Sequence, residues 1–507
     1  MDYKELLKNK KDLALILILI IAFVLRIIYF NINSAIWWDE AEYIVMAKDF
    51  AFSPAWADWN AVRPLLLPMI WAVFFKIGLG ETSIRFFTEF LPSFALVLLI
   101  YLLGTEIYNK KIGLISSFIY SMFWLSLFLT GRLLTDQISI LFAFLSVYYF
   151  WKGYIKKQKN LYIYLSGIFM IVGILFRFPT GVIVVPPILF LLVRDRLNVI
   201  KNKQIWYSIL SVIILLVPYV IWNLVKFGSP FPAFKFYVVN EATSAIHQFS
   251  SPAYYILQYT LLYLESLFLA FFLLGFVLIL INVVFGFDMI IKQENKKYNK
   301  DFFILLWILI PFLFFIFIYK YAEPRYLLMT IAPILFVTSK GILAVYDYIK
   351  KYNKQIAVVI LFVILIFGAF QQYNHTKQIV DAKKDTYLQI KQAALWIKDN
   401  TPPDTKVHIT ANQMEFLAYA ERKTSNGVGN NETDFYERMK TLDPDYLIVS
   451  YWYQKEVAYP DWFISILQNN PERYQPIGAY FMNEEKTIPG AIILKINKEI
   501  QEKTSYI

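Results

Sequence analysis

Short polar segments beside long apolar runs carry the residues of this chain that are most able to do chemistry. The segment Trp37-Trp38-Asp39-Glu40 offers two adjacent carboxylates, and Thr135-Asp136 offers a third. A carboxylate can take a proton from an attacking hydroxyl group. Guanidinium groups donate paired hydrogen bonds to phosphate oxygens, and the chain sets them in short polar segments at Arg63, Arg132, Arg177 and Arg325. These types suit a reaction in which a hydroxyl attacks and a phosphate leaves.

Each of these segments also has a purely structural interpretation. Asp39 and Glu40 could mark an ordinary helix start, where acidic residues are favoured. Arg132 could pair with Asp136 one turn later, and Glu323 could neutralise Arg325. Arg177 could extend its charged end to the membrane surface, as Arg26 is expected to do. The shared location of the segments, more than any one of them, favours a site.

The composition indicates that the chain is a membrane protein. The chain is 58% hydrophobic and only 17% charged, and its mean hydropathy is +0.49. Soluble proteins are about half apolar and about a quarter charged. The absence of cysteine excludes disulfide scaffolds and cysteine nucleophiles, and three histidines are too few for the multi-histidine sites that zinc prefers.

Apolar runs predict about eleven membrane-spanning helices, each near the length needed to cross a bilayer. They lie at 12–30, 84–108, 112–130, 133–151, 161–177, 179–193, 205–225, 253–282, 302–319, 325–347 and 355–373. The basic residues of the loops decide orientation, because cytoplasmic loops are rich in lysine and arginine. They predict a cytoplasmic N-terminus if 64–79 is an interfacial helix that does not cross. All the candidate residues then lie on the outer side.

The rest of the chain, 374–507, predicts a small α/β domain outside the cytoplasm. Strand-length apolar runs at 406–410, 446–450 and 491–494 alternate with amphipathic helical patterns at 386–399, 412–421 and 459–469. This part holds 16 Lys+Arg against 18 Asp+Glu, so the net charge of +11 comes from residues 1–373. There it follows the cytoplasmic loops, and we expect no nucleic-acid partner.

The same segments resemble the C-superfamily (GT-C) of membrane glycosyltransferases, chiefly the branch of protein O-mannosyltransferases and lipid A aminoarabinose transferases. The branch's Asp-Glu pair is matched by Asp39-Glu40, and its Thr-Asp by Thr135-Asp136. Its basic-Pro-Pro-Leu element is matched loosely by Arg63-Pro64-Leu65-Leu66, where a leucine replaces the second proline. A late Arg-Tyr-Leu-Leu is matched from Arg325, which adds Tyr326 to the substrate-binding candidates. The oligosaccharyltransferases of the same superfamily carry Trp-Trp-Asp-Tyr-Gly in a soluble domain, unlike the first-loop sequence found here.

The resemblance implies transfer of a sugar from a polyprenyl-phosphate carrier to an acceptor hydroxyl on a lipid, glycan or protein, outside the plasma membrane. Asp39 would be the base of an inverting displacement, supported by Glu40 and Asp136. Substrate would be bound by Arg63, Arg132, Arg177, Glu323, Arg325 and Tyr326. Members with and without metal are known, so Mg²⁺ or Mn²⁺ at Asp39, Glu40 or Asp136 stays open. The alternatives are a transporter or flippase of lipid-linked saccharides and an oligosaccharyltransferase-like enzyme.

Overall fold

A computed structural model describes residues 10–59, 63–233, 252–291, 296–319, 323–451 and 459–500. The chain forms two compact units. The membrane unit comprises Met1–Asn31, Ala61–Leu66 and Arg85–Asp381, and the sheet unit comprises Ile32–Asn60, Leu67–Ile84 and Ala382–Ile507. The expected combination of a polytopic helical part with a C-terminal α/β part is confirmed.

Within the described residues, eight helical segments are long and apolar enough to cross a membrane, and a bent pair makes up to nine. The eight are Leu13–Phe30, Glu81–Ile107, Asp136–Ile155, Lys203–Phe227, Leu262–Phe285, Asn299–Ile318, Pro324–Lys350 and Lys354–Lys383. The pair is Lys110–Met122 with Trp124–Thr130, bent by 53°. The protein is therefore a multi-pass membrane protein.

One of the eleven predicted spans has a different form in the structure. The run at 161–177 is the 17-residue helix Asn160–Phe176, as predicted, whereas the run at 179–193 divides into a 3₁₀ helix, Phe178–Val184, and the helix Val185–Asp195. Prolines at 179, 186 and 187 lack the amide hydrogen that a continuous helix needs. The stretch at 64–79 contains the 11-residue helix Leu66–Lys76, about 16 Å long, which is too short to cross.

Glycines allow two membrane helices to cross at very short range. A Cβ atom at Gly275 would lie 2.0 Å from the carbonyl oxygen of Val337, and one at Gly341 would lie 2.0 Å from that of Phe271. Close backbone approach of this kind is typical of small residues in membrane helices. It fixes the helix Ile331–Lys350, which follows the 3₁₀ helix Pro324–Thr330, against the helix Pro252–Phe285.

Arg26 corrects one expectation, because its side chain does not extend to the membrane surface. It is fully buried and donates to Ser93 Oγ at 2.7 Å and to Ser126 Oγ at 3.3 Å. It also donates to the carbonyl oxygen of Ser121 at 3.2 Å. Ser121 and Ser126 flank the bend of the paired helices, where a regular helical hydrogen bond is lost. A buried guanidinium thus satisfies the polar groups that the bend exposes.

A five-stranded mixed sheet forms the centre of the sheet unit, in the order β2-β1-β3-β5-β4. The strands are β1 (Lys406–Ile409), β2 (Lys423–Asn426), β3 (Tyr446–Ser450), β4 (Tyr474–Phe481) and β5 (Pro489–Ile496). β1 pairs in parallel with β2 and β3, whereas β5 pairs antiparallel with β3 and β4. The three expected strands are confirmed as β1, β3 and β5, and β2 and β4 were not predicted.

Alternate strand residues divide the apolar core of this unit between the two faces of the sheet. Ile448 and Ile493 pack with the helices Leu388–Asn400 and Gln413–Ala420, which were expected from their amphipathic patterns. Leu447 and Leu494 face the opposite cluster, which includes residues of two further helices, Glu432–Leu442 and Asp461–Asn469. Side chains that alternate across a strand produce this two-faced burial.

Candidate functional site

Asp136 is the centre of a charged cluster in the membrane unit. It is the first residue of the helix Asp136–Phe150, and it is only 1% exposed. Its Oδ2 lies 3.3 Å from Arg177 Nη1 and 4.0 Å from Arg325 Nη1. Among the described residues these two arginines are its ion-pair partners, and the neighbouring Arg132 is not. The local pairing that the sequence allowed is replaced by pairing between distant segments.

Arg177 reaches this position because the chain changes conformation there. The helix Asn160–Phe176 ends at Arg177, whose backbone is extended, and Pro179 then opens the 3₁₀ helix. The guanidinium lies 4.7 Å from the centre of the Tyr326 ring, within the range of a cation–π interaction. It also donates to Thr135 Oγ1 at 3.4 Å. The structure therefore brings the segments 135–136, 177 and 325–326 together.

Arg325 is set in place by a proline-initiated turn. Pro324 begins the 3₁₀ helix Pro324–Thr330, and its carbonyl oxygen accepts a hydrogen bond from the Tyr263 hydroxyl. Arg325 Nε lies 2.7 Å from Glu323 Oε1. The side chains of Arg177 and Arg325 are 13% and 16% exposed, so neither is sealed in the core. Two partly accessible guanidinium groups, each balanced by a carboxylate, make this cluster a candidate phosphate site.

The other two candidate arginines, Arg63 and Arg132, have different surroundings. Arg132 is completely buried, and its guanidinium carbon lies 5.3 Å from the centre of the Phe128 ring. Arg63 occupies a bend before the helix Leu66–Lys76 and is partly exposed, next to the buried Pro64 and Leu65. Among the described residues, neither forms an ion pair with Asp136, so their roles in substrate binding stay predictions.

In the sheet unit, Asp39 and Glu40 lie in the first turn of the helix Trp38–Phe52. Glu40 is 1% exposed, and its Oε2 accepts a hydrogen bond from the Trp37 amide at 2.9 Å. A glutamate at this position that reaches back to the preceding amide stabilises the helix start. Asp39 is partly exposed. Glu40 therefore stabilises the start of the helix, whereas Asp39 is partly accessible to solvent.

Glu415 is a third carboxylate of this region, and sequence reasoning missed it. It lies in the helix Gln413–Ala420 and is 1% exposed, and no hydrogen bond to its Oε2 occurs among the described residues. Burial, and to a smaller extent the charges of Asp39 and Glu40, raise the pKa of Glu415 to about 8. The available signal was a lone acid between Met414 and Phe416 on an otherwise apolar helix.

Lys48 connects the Asp39 helix to the same part of the sheet unit. Its Nζ donates to the Ala418 carbonyl oxygen at 3.0 Å and lies 2.5 Å from Glu421 Oε1. Glu421 also pairs with Lys398 at 2.8 Å. The helix that carries Asp39 thus contacts the helix Gln413–Ala420 near both ends of the latter. Lys48 bonds near its C-terminal end, and the packing that buries Glu415 lies near its N-terminal end.

The metal role that the resemblance left open has no complete ligand set in the described part of the chain. No group of three or more His, Asp or Glu side chains comes close enough there to hold a metal ion. Asp136 is paired with two guanidinium groups instead, and cations of that kind disfavour a nearby divalent ion. A metal-binding role of Asp39, Glu40 or Asp136 therefore stays a prediction.

Comparison with known proteins supports the resemblance to the C-superfamily of membrane glycosyltransferases. Residues 62–222 match the family model for dolichyl-phosphate-mannose-protein mannosyltransferase. A search of curated proteins found no match.

Solved structures give the fold over most of the chain. An oligosaccharyltransferase of Archaeoglobus fulgidus in complex with an inhibitory peptide and a dolichol-phosphate has a TM-score of 0.65 at 13% identity, covering 88% of this chain and 70% of that one. The same enzyme with Zn and sulfate gives 0.62 at 15% identity, covering 94% and 72%. ArnT of Cupriavidus metallidurans bound to undecaprenyl phosphate gives 0.63 at 12% identity, covering 94% and 97%. This chain has the fold of the C-superfamily membrane glycosyltransferases.

Proposed function

We propose that this protein transfers a sugar from a polyprenyl-phosphate carrier to an acceptor hydroxyl on the outer side of the plasma membrane. The observation that carries the proposal is the pair Arg177 and Arg325 around Asp136, two partly accessible guanidinium groups at helix ends of a multi-pass protein. Similarity to structures that hold dolichol-phosphate and undecaprenyl phosphate supports the carrier class.

In this proposal Arg177 and Arg325 bind the phosphate of the carrier. As the sugar departs, negative charge grows on the phosphate oxygen, and fixed cations stabilise such charge more strongly than water does. Asp136 positions both guanidinium groups, because it is buried and pairs with each of them. Tyr326 supports Arg177 through its ring, and Glu323 holds Arg325 from the other side.

Asp39 is the proposed base of a single inverting displacement. Its carboxylate takes the proton of the acceptor hydroxyl while that oxygen forms a bond to the anomeric carbon. The bond from this carbon to the phosphate oxygen breaks, and the polyprenyl phosphate leaves with the electron pair. The partial exposure of Asp39 and the structural commitment of Glu40 favour Asp39 for this role.

The experiment measures release of radiolabelled sugar from a polyprenyl-phosphate donor by the purified protein in detergent. Asp39→Asn should lower turnover about 10²- to 10⁴-fold, the usual contribution of a general base. Asp58→Asn is the matched control, because Asp58 is exposed in the same outer segment. Turnover by Asp39→Asn equal to that of the control would remove Asp39 from the mechanism.

The rival function is a transporter or flippase of lipid-linked saccharides. A transporter would move the labelled donor across the membrane of proteoliposomes without releasing its sugar. An enzyme would release the sugar, so the same labelled substrate distinguishes the two functions.

Orientation is tested independently of activity. The chain has no native cysteine, so single cysteines are clean probes. A cysteine at Asp58 should react with an impermeant reagent added outside intact cells, and one at Lys351 should not.

A further inference from the structure

A second polar pocket lies in the membrane unit, away from the Asp136 cluster. It encloses about 700 Å³ and is lined by the end of the helix Val185–Asp195 and the starts of the helices Asn160–Phe176 and Lys203–Phe227. The helix Asn160–Phe176 begins at this pocket and ends beside Arg177. Seventeen helical residues extend about 25 Å, so the two sites lie at opposite ends of one membrane helix.

The lining of this pocket is positively charged. It includes Lys157, Arg194 and Arg196 against one carboxylate, Asp195. Asp195 is already engaged, since Arg194 Nε lies 3.6 Å from its Oδ1. Within the described part of the chain, Lys157 and Arg196 form no ion pair. The pocket therefore presents two cationic side chains to an anion that the protein does not supply.

Asparagine and glutamine side chains complete the polar lining. Asn160, Asn198 and Gln204 face the same space. Amide groups donate hydrogen bonds to phosphate and accept them from hydroxyl groups. Sites for small ligands usually enclose about 300–1,000 Å³, so the volume fits a phosphate together with a small polar alcohol.

Apolar side chains beside the pocket indicate that it opens toward lipid. The 3₁₀ helix Arg196–Lys201 carries Leu197, 72% exposed, and Ile200, 53% exposed. Trp206 is 53% exposed and donates from its indole nitrogen to the Ile200 carbonyl oxygen at 2.7 Å. Tryptophan with a hydrogen-bonded ring is typical of the membrane interface. A free phosphate ion would use only the cations, whereas a lipid would also cover these apolar groups.

We propose that this pocket binds the phosphate headgroup of an anionic glycerophospholipid, with Lys157 and Arg196 as its ligands. The acyl chains lie along Leu197, Ile200 and Trp206. The site is separate from the catalytic proposal, because it shares no residue with the Asp136 cluster. It belongs to the face on which the basic loops lie, where anionic lipids attract juxtamembrane cations.

The test is native mass spectrometry of the purified protein after delipidation and addition of phosphatidylglycerol or phosphatidylcholine. The wild type should retain phosphatidylglycerol in preference to phosphatidylcholine. Lys157→Glu/Arg196→Glu should weaken that retention about tenfold or more, since each cation near the surface contributes to the attraction. Lys351→Glu/Lys354→Glu is the matched control, with the same charge change at two exposed lysines of a basic loop, and it should retain the lipid normally.

Three outcomes would overturn the proposal. The first is that the wild type retains both lipids equally. The second is that the pocket variant and the control lose phosphatidylglycerol to the same extent. The third is that millimolar inorganic phosphate displaces phosphatidylglycerol completely. The last outcome would assign the pocket to a free anion. If the glutamate variant does not fold, Lys157→Gln/Arg196→Gln removes the two charges with side chains of similar length. Its lipid retention is then compared with that of the control. Sugar transfer should be unchanged in the variant, so failure here is distinct from failure of the proposed function.

Discussion

The two carboxylate clusters of this protein surround a buried acid in opposite ways. In the membrane unit, Asp136 is buried but paired with Arg177 and Arg325, so opposite charges compensate for the loss of water. In the sheet unit, Glu415 is equally buried and lies near the like charges of Asp39 and Glu40, and its pKa rises to about 8. The first arrangement places cations around a buried carboxylate, and the second places like charges near a buried acid and favours its neutral form. Burial alone therefore does not reveal whether a carboxylate is charged.

The largest effect should follow from breaking the paired cluster. Arg177→Gln removes one phosphate ligand and leaves Asp136 with Arg325 at 4.0 Å as its remaining ion pair. Loss of one stabilising donor commonly costs about 10²–10³ in turnover, which steady-state sugar transfer would measure. Arg438→Gln, at an exposed pair of the sheet unit, is the control. An Arg177→Gln enzyme with normal turnover would show that the paired cluster has only a structural role.

A second variant separates charge balance from substrate binding. Asp136→Asn combined with Arg177→Gln removes both partners of the buried pair. Thermal stability should then recover relative to Arg177→Gln, because a buried carboxylate whose remaining cation lies 4.0 Å away is more costly than a missing pair. Activity should stay low, since the phosphate ligand is still absent. Recovery of turnover along with stability would mean that Arg177 acts only by neutralising Asp136.

The neutral acid gives a pH effect of intermediate size. The pKa of Glu415 in the fold, about 8, lies above its ordinary value of 4.5, so the folded state holds the proton more tightly than the unfolded state. Its contribution to stability is full below pH 4.5 and falls as the pH rises toward 8. At about 1.4 kcal/mol per pKa unit, the loss is on the order of a few kcal/mol. Glu415→Gln should raise the melting temperature at pH 8 and flatten the decline between pH 5 and 8.

The matched control measures the pH dependence of stability that comes from His408, another buried group of the sheet unit. Burial lowers the pKa of His408 to about 4, and its ring nitrogens contact Ser425 Oγ at 2.7 Å and the Gly427 carbonyl oxygen at 3.0 Å. A depressed histidine pKa contributes stability that is lost as the pH falls from 6.5 toward 4. The acid-side loss should therefore persist unchanged in Glu415→Gln. A melting profile that keeps its alkaline slope in this variant would contradict the neutral-acid interpretation.

The smallest effects concern the two lysines that share Glu421. Lys48 is 17% exposed and Lys398 is 39% exposed at the side chain. Lys48→Ala should cost about 1–3 kcal/mol, because a buried charged hydrogen bond is lost. Lys398→Ala should cost at most about 1 kcal/mol, as is usual for surface pairs. Hydrogen exchange of the helix Trp38–Phe52 should rise only in Lys48→Ala, and equal exchange in both variants would break this contrast.

Hydropathy and charge predicted the fold to a considerable extent, because long apolar runs and basic loops are local signals. They also placed Asp136, Arg177 and Arg325 on one side of the membrane, and the structure brings these three together. Sequence could not assign the partners, since Asp136 and Arg177 are 41 residues apart and only packing decides which pairs form. Glu415 was missed because its raised pKa depends on burial in the fold and on the charges of Asp39 and Glu40, which are distant in the sequence. Arg26 was misjudged because its serine partners look like ordinary small residues.

Arg26 has a consequence for how the chain is made. Its partners Ser93, Ser121 and Ser126 follow it by 67, 95 and 100 residues. Synthesis at about 5–20 residues per second delays the last of them by about 5–20 s after Arg26 leaves the ribosome. An unpaired arginine within a span opposes insertion by up to about 3 kcal/mol. Arg26 therefore gains its contacts with Ser121 and Ser126 only after the bent helix pair has been synthesised, so the final packing around this side chain forms after that point.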